Sequence, residues 1–220
     1  MSQSPTRPTR VTAQQLALRH LRQLISDGVL KPDDRIRQEQ LATELGCSVI
    51  PVREALKTLE AEGQIRYIPH RGYHVTRLSL AELKETYLIR RLLEDEIVRI
   101  AAPRLAEDDF EHLDRLMDAM ESASSTGDVA TMIESNRDLH FHIFEVAGQP
   151  RMVDFIRMLW QATDSYRALY YGDEVARDRV DHEHRSIVEA LRTGDVDRAV
   201  AELERHRSHA VAALEERLAE

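Results

Sequence analysis

Apolar residues recur at helical spacing in three segments near the N-terminus of the chain. The first segment begins at Thr12 and stops at Gly28, and the second stops at Gly46. The third begins at Ser48 and stops at Gly63. Serine and threonine favour the start of a helix, and glycine favours its end. The segments predict three consecutive helices. The third has an apolar stripe of Val52, Ala55, Leu56 and Leu59.

Two short β-type runs follow the third predicted helix. Their sequences are IRYIP and YHVT, and the letters HRG lie between them. Such runs predict a β-hairpin. Three helices and a hairpin are the layout of a winged helix-turn-helix, whose third helix enters the major groove of DNA. We assign this unit to residues 11–76 and a disordered arm to residues 1–10.

The remainder of the chain predicts helices only. After a linker over residues 77–80, a capping box from Ser79 to Glu82 starts a long helix that runs toward Ala102. The fold class is therefore mainly α, with a winged helix-turn-helix followed by an all-α antiparallel helical bundle over residues 81–220. The later helices are predicted over residues 107–124, 129–147, 151–171, 175–192 and 195–219.

Charge is distributed unevenly between these two units. The chain of 220 residues has a net charge of −9. Residues 1–76 carry 11 lysines and arginines against 8 aspartates and glutamates, a net +3, whereas residues 77–220 carry 19 against 31, a net −12. A basic head on an acidic body is typical of a head that meets an anion.

Composition also narrows the class of protein. No run of 18 apolar residues exists, so we expect no membrane partner. The first ten residues lack the apolar stretch of a signal peptide. The single cysteine, Cys47, excludes an internal disulfide and a cysteine-rich zinc module. We expect a cytoplasmic protein.

The third predicted helix has an outward face suited to DNA. Arg53 and Lys57 are like charges four residues apart, which is unfavourable alone and sensible against phosphate or guanine. Val49 and Ile50 are apolar on a face that should be wet, and contact with a thymine methyl group would explain them. The alternative is that both pack on the second helix and that Arg53 is a solvated charge.

Four residues of the body are candidate metal ligands. Asp138 and His142 lie one helical turn apart, so they share a helix face. His184 and His206 each lie on an apolar stripe, so both should point inward, whereas His140 lies off these stripes and is expected to be peripheral. Imidazole and carboxylate ligands suit zinc, nickel or manganese. The alternative is that each histidine is a core residue hydrogen-bonded to a neighbour.

The head resembles the DNA-binding domain of the GntR superfamily of bacterial regulators. The matching letters are PVREAL at residues 51–56, EG at residues 62–63 and PHRG at residues 69–72. The resemblance implies that Arg53 touches DNA and that the turn of the hairpin forms the wing. Val49 stands where the family often has an arginine that reads bases. The expected DNA-contacting set is Ser48, Val49, Ile50, Arg53, Lys57, His70, Arg71 and Gly72.

The body resembles the FCD ligand-binding domain found in the FadR branch of the same superfamily. The matching letters are DLHFH at residues 138–142, HRSIVEALRTGD at residues 184–195 and AVAELERH at residues 199–206. The resemblance implies one divalent transition metal per chain, with zinc first and nickel or manganese as alternatives. Its ligands would be Asp138, His142, His184 and His206.

A small carboxylate effector would fill the remaining coordination positions of that metal. Arg90 is the expected second anchor by charge-assisted pairing. The alternative is a surface arginine that pairs with Glu94, four residues on. The residues therefore predict a metabolite-responsive transcription regulator rather than an enzyme. We expect a homodimeric repressor that binds operator DNA, with residues 75–80 coupling the head to the body.

Two other functions stay open from the sequence. Three histidines and an aspartate could activate water in a metal-dependent hydrolase or another enzyme with a fused DNA-binding head. The metal could also be purely structural, with the body serving only for dimerisation.

Overall fold

The computed structural model describes residues 11–171 and 174–218. The arm predicted for residues 1–10 lies outside this range. The head consists of three helices and a two-stranded antiparallel hairpin in which Ile65 pairs with Val75. Its elements are α1 (Ala13–Ser26), α2 (Gln38–Glu44), α3 (Val49–Ala61), β1 (Ile65–Ile68) and β2 (Gly72–Val75).

Local signals account for the head. Thr12 and Gln15 form a capping box at the start of α1. Ser48 occupies the N-cap of α3, although its hydroxyl makes no capping hydrogen bond within the described residues. The apolar stripe of α3 is fully buried against α1 and the hairpin. These elements enclose one small core, and they leave the opposite face of α3 to solvent.

The body is a bundle of helices. Its elements are α4 (Leu80–Ala101), a short 3-10 helix (Ala102–Arg104), α5 (Glu107–Thr126), α6 (Val129–Val146), α7 (Pro150–Ala162), α8 (Asp164–Tyr171), α9 (Glu174–Arg192) and α10 (Val196–Leu218). The predicted capping box at Ser79 and Glu82 is present. The mainly α class with a winged helix-turn-helix is confirmed. The domain boundaries stay predictions.

One predicted helix of the body is wrong. The single helix expected over residues 151–171 is two helices, α7 and α8, separated at Thr163. The Thr163 hydroxyl donates to the Trp160 carbonyl at 3.0 Å, and neither glycine nor proline lies at the break. The apolar periodicity over residues 151–171 therefore did not indicate the break.

Two apolar cores fill the body. The larger lies among α4, α5, α6, α7, α9 and α10. The smaller contains Leu83, Tyr166, Tyr171 and Leu214, and Leu78 of the predicted linker packs against it. Among the described residues, no helix is long and apolar enough to cross a membrane.

Candidate metal centre, effector cavity and DNA-facing helix

The outward face of α3 holds the residues that the sequence predicts to contact DNA. Ser48, Arg53 and Lys57 are exposed there. Val49 and Ile50 differ from one another. Val49 is half-buried and packs against the head core, whereas Ile50 is 70% exposed. Packing therefore accounts for Val49 and leaves Ile50 unexplained.

The turn of the hairpin carries the predicted wing residues. His70 and Arg71 are exposed. His70 has a φ of 62° and Gly72 a φ of 89°, both in the left-handed region that glycine adopts without strain. A β-carbon at Gly72 would meet only the Arg35 Nε at 3.9 Å, so backbone conformation rather than space requires glycine. The DNA contacts of all these residues stay predictions.

Three buried histidines from three helices meet inside the body. They are His140 on α6, His184 on α9 and His206 on α10. One ligand nitrogen from each lies within 4.8 Å of the others, and the Nε2 atoms of His140 and His184 are 3.1 Å apart. Two nitrogens at about 2.1 Å from one zinc ion stand roughly 3.3 Å apart in tetrahedral geometry. The spacing therefore suits a shared ion.

Lowered pKa values favour the neutral form of the His140 and His184 imidazoles. Burial lowers the pKa of His140 and of His184 well below its ordinary value, and the neighbouring His206 lowers both further. A neutral imidazole offers a lone pair to a metal, whereas a protonated one does not. The pocket thus favours the metal-binding form of both side chains.

The third histidine is oriented by a carboxylate. The Nδ1 of His206 lies 2.7 Å from Glu183 Oε2, so Nδ1–H donates and Nε2 stays available as a ligand. Burial raises the pKa of Glu183, but hydrogen bonds from His206 and His209 outweigh burial and lower it overall. The resulting carboxylate fixes the tautomer and the orientation of His206.

An amide completes the polar set around the histidines. Asn136 lies one turn before His140 on α6 and is 2% exposed. Its Oδ1 is buried and finds no hydrogen-bond partner among the residues that the structure describes. A buried oxygen without a partner is costly unless something binds it. Asn136 and His206 line one cavity, so this oxygen suits a fourth ligand.

Asp138 and His142 do not join this cluster, and their prediction as ligands is corrected. Asp138 is exposed, and His142 Nε2 lies 2.9 Å from Asp109 on the outer side of α6. Residues two apart on a helix point about 200° apart. Helix α6 therefore turns only one pair inward, Asn136 with His140.

The expectation that His140 is peripheral is also wrong. A signal for the inward pair existed in the sequence. His140 continues a stripe with Ile133 and Phe144, both buried, whereas Asp138 shares its face with the exposed Glu134 and Glu145. The signal was missed because two overlapping pairs, Asn136–His140 and Asp138–His142, have the same spacing of four residues.

A cavity of about 30 Å³ lies beside His206. Three buried arginines line it, namely Arg90, Arg167 and Arg207. The guanidinium carbons of Arg90 and Arg167 lie 4.4 Å and 4.2 Å from the Trp160 ring centroid. A cavity of this volume has room for about two water molecules.

Glu94 holds two of these arginines. It is fully buried and accepts from Arg90 Nε at 2.8 Å, from Arg207 Nη1 at 3.0 Å and from Trp160 Nε1 at 2.7 Å. Burial raises the pKa of Glu94, but the charges of both arginines outweigh burial and lower it. The expected Arg90–Glu94 pair is therefore present, inside the core instead of on the surface.

Helix α8 connects the cavity to the linker. Arg167 and Tyr171 of α8 line the cavity. Tyr166, 1% exposed on the same helix, accepts from the Leu78 N–H at 2.6 Å and donates to the Leu78 carbonyl at 3.3 Å. Helix α8 also packs against α1 of the head. One short helix thus contacts the ligand cavity, the linker and the head.

The body has an apolar outer face on two neighbouring helices. On α4, Leu88 is 50% exposed and Leu92 is 60% exposed. On α7, which packs against α4, Phe155 is 60% exposed and Met158 is 41% exposed. Several large exposed apolar side chains on two helices that pack together are typical of protein–protein interfaces.

Two family profiles match the chain. The gntR family of bacterial regulatory proteins matches residues 13–75, and the FCD domain matches residues 85–209. The second match alone spans more than half of the chain. Its range contains the three clustered histidines, Asn136 and Arg90.

Named relatives agree with these profiles. The chain is 31% identical to the HTH-type transcriptional regulator McbR of Escherichia coli over 140 residues, 64% of this chain and 63% of McbR. It is 24% identical to the HTH-type transcriptional repressor RspR of Escherichia coli over 199 residues, covering 90% and 87% of the two chains. The solved structure of E. coli McbR/YncC is similar with a TM-score of 0.87 and 25% identity, covering 94% of this chain and 99% of that one.

Proposed function

Because the chain belongs to the gntR family of bacterial regulatory proteins and carries an FCD domain, we propose that it is a metal-dependent repressor controlled by a small organic acid. As a member of this family it is a DNA-binding transcription regulator. One observation carries the finer proposal: the three-histidine cluster adjoins a cavity lined by three arginines, and α8 connects that cavity to the linker. The repressor name of the relative RspR supports the direction of control.

The metal part of the proposal rests on the donor set. His140, His184, His206 and Asn136 would hold one divalent ion, with zinc first and nickel or manganese as alternatives. When bound, the ion supplies a positive centre that attracts a carboxylate. Glu183 orients His206 for this role through its hydrogen bond to Nδ1.

The effector part rests on the arginines. Arg90 uses Nε for Glu94, which leaves the two terminal nitrogens of its guanidinium for a ligand. Arg167 and Arg207 also line the cavity, where Arg167 pairs with Asp164 and Arg207 pairs with Glu94, Asp95 and Glu204. A small anion with at least one carboxylate matches this chemistry, because arginine pairs with carboxylates through two parallel hydrogen bonds.

Coupling follows from the position of α8 beside the cavity. An organic acid bound in this cavity would contact Arg167 and Tyr171 of α8, so its binding would favour one position of that helix. Tyr166 on that helix holds Leu78, which lies in the predicted coupling segment, residues 75–80. The effector then favours one arrangement of linker and head, and it changes operator affinity by its differential affinity for the two arrangements.

The proposed assembly is a cytoplasmic homodimer on a pseudo-palindromic operator. The apolar face of α4 and α7 is the proposed contact between two copies. Each copy would present one head to a half-site, with Arg53, Lys57 and the wing residue Arg71 toward DNA. We assign no catalytic activity, in keeping with the regulator names of the relatives.

The metal proposal is tested by elemental analysis of the full chain, purified without a His tag. We expect about one divalent ion per chain in the wild type and its loss in His140→Ala. His142→Ala is the matched control, because His142 lies two residues away and points outward; it should keep the ion. Equal metal content in both variants would overturn the site, as would a wild type that takes up no zinc, nickel or manganese.

The effector proposal is tested on DNA selected by the protein from random duplexes. A panel of small mono-, di- and tricarboxylates is added to the metal-loaded chain, and duplex affinity is measured. At least one acid should weaken binding in the wild type and fail to do so in Arg90→Ala. A purely structural metal predicts otherwise: chelation would lower the Tm, and no acid would change duplex affinity.

A further inference from the structure

The recognition helix presents one large apolar side chain that residues 11–171 and 174–218 leave mostly exposed. Ile50 is the second residue of α3 and is 70% exposed. The core stripe of α3 lies on the other side of the helix, and the adjacent Val49 packs into the head. Isolated exposed apolar residues are common on protein surfaces. The exposure of Ile50 is informative because this residue lies in the first turn of the recognition helix.

Polar and basic groups lie close to Ile50 on the outward face of α3. Ser48 lies at the N-cap, and Arg53 lies three residues on, on the same helix face. The Nε of Arg53 lies 3.5 Å from Gln38 Oε1, at the start of α2. The N-terminal turn of a recognition helix is the part that reaches base edges. Ile50 is therefore an apolar group in the middle of a polar reading surface.

We propose that Ile50 reads the C5-methyl group of a thymine in the major groove. Thymine is the base that offers an apolar group there, since the other base edges present hydrogen-bond donors and acceptors. The proposal makes Ile50 a specificity-determining residue, with thymine required at one position of each half-site. It rests on the DNA-binding function of the family and is independent of the metal and effector proposals.

The loss of DNA affinity on removing the thymine methyl group can be estimated. Replacing thymine by uracil removes only the methyl group and keeps base pairing. Burial of one carbon group of this kind corresponds to roughly a fourfold change in affinity. A dimer that touches two half-sites should lose about fifteenfold when both thymines are replaced, because independent contacts multiply.

The experiment uses the full chain and duplexes selected from a random library at fixed salt concentration. Each thymine of the selected half-site is replaced in turn by uracil, and Kd is measured for wild type, Ile50→Ala and Arg53→Ala. One replacement should weaken the wild type about fourfold and leave Ile50→Ala unchanged. Arg53→Ala is the control: it should bind every duplex more weakly and keep the thymine-to-uracil ratio. Since Ile50 is exposed, its replacement should not affect folding.

Two results would overturn the proposal. One is a wild-type Kd that stays the same after every thymine-to-uracil replacement. The other is an Ile50→Ala variant that keeps the wild-type ratio, because another residue would then read the methyl group. Repeating the selection with Ile50→Arg gives a second readout: we expect guanine in place of thymine at the contacted position, since arginine pairs with guanine O6 and N7. An unchanged consensus would also count against the proposal.

Discussion

At the scale of single residues, Asn136 decides how much positive charge the proposed metal centre keeps. Burial holds His140 and His184 neutral, and an amide carries no charge. A divalent ion among these ligands retains its full charge, whereas an aspartate in the same place would halve it. The amide therefore weakens the hold on the metal and strengthens the attraction for an anion beside it.

Asn136→Asp should bind zinc about tenfold more tightly than the wild type, because a carboxylate adds a Coulombic attraction that an amide lacks. Asn136→Ala removes the oxygen and should bind zinc more weakly. Competition with a chromophoric chelator measures both. If the two variants match the wild type, Asn136 is not a ligand, and its buried oxygen has another explanation.

At the scale of elements, α8 gives the body a contact with the linker and with the head. It begins at Asp164, directly after the break at Thr163, and places Arg167 at the cavity and Tyr166 at the linker. Burial raises the pKa of the Tyr166 hydroxyl, so it keeps its proton and serves Leu78 as acceptor and donor together.

Tyr166→Phe should separate ligand binding from DNA binding. The Leu78 N–H would lose its partner, which costs about 1–2 kcal/mol of folding stability. Metal content should stay at the wild-type level, and the change in duplex affinity on adding an active carboxylate should shrink. Urea unfolding, elemental analysis and duplex titration measure the three quantities. Wild-type coupling in this variant would remove α8 from the proposed route.

At the scale of the whole molecule, the surface suited to DNA lies on the head and the exposed apolar surface lies on the body. The head is net positive and the body strongly negative, so DNA is attracted to one end. The exposed apolar residues of α4 and α7 belong to the body, whereas the recognition helix α3 belongs to the head. This division suits a dimer joined by its bodies with two heads on DNA.

Leu92→Glu should convert the proposed dimer to monomers, because it places a charge on the apolar face at a side chain that is 60% exposed. Val29→Glu is the matched control, since Val29 is 64% exposed but lies on the head. Analytical ultracentrifugation measures the mass of each variant. Only Leu92→Glu should lose the dimer and, with it, most of its affinity for a two-half-site duplex. A dimeric Leu92→Glu would place the interface elsewhere.

The sequence by itself determined the head, most helices of the body and the inward direction of His184 and His206. These features depend on local spacing and capping, such as the capping box at Ser79 and Glu82, which neighbouring residues specify alone. The break at Thr163 escaped prediction because no glycine or proline marks it.

The apolar stripe through Ile133 and Phe144 favours one face of α6, but only the tertiary structure decided which side chains of that helix meet the other helices. The pairs Asn136–His140 and Asp138–His142 have the same spacing, and the packing of α6 against other helices selects the first. The contacts of Glu94 with Trp160 and Arg207 and the contact of Tyr166 with Leu78 were likewise beyond the sequence, because they join residues 66, 113 and 88 positions apart. Local patterns specify elements, and long-range packing specifies which side chains meet.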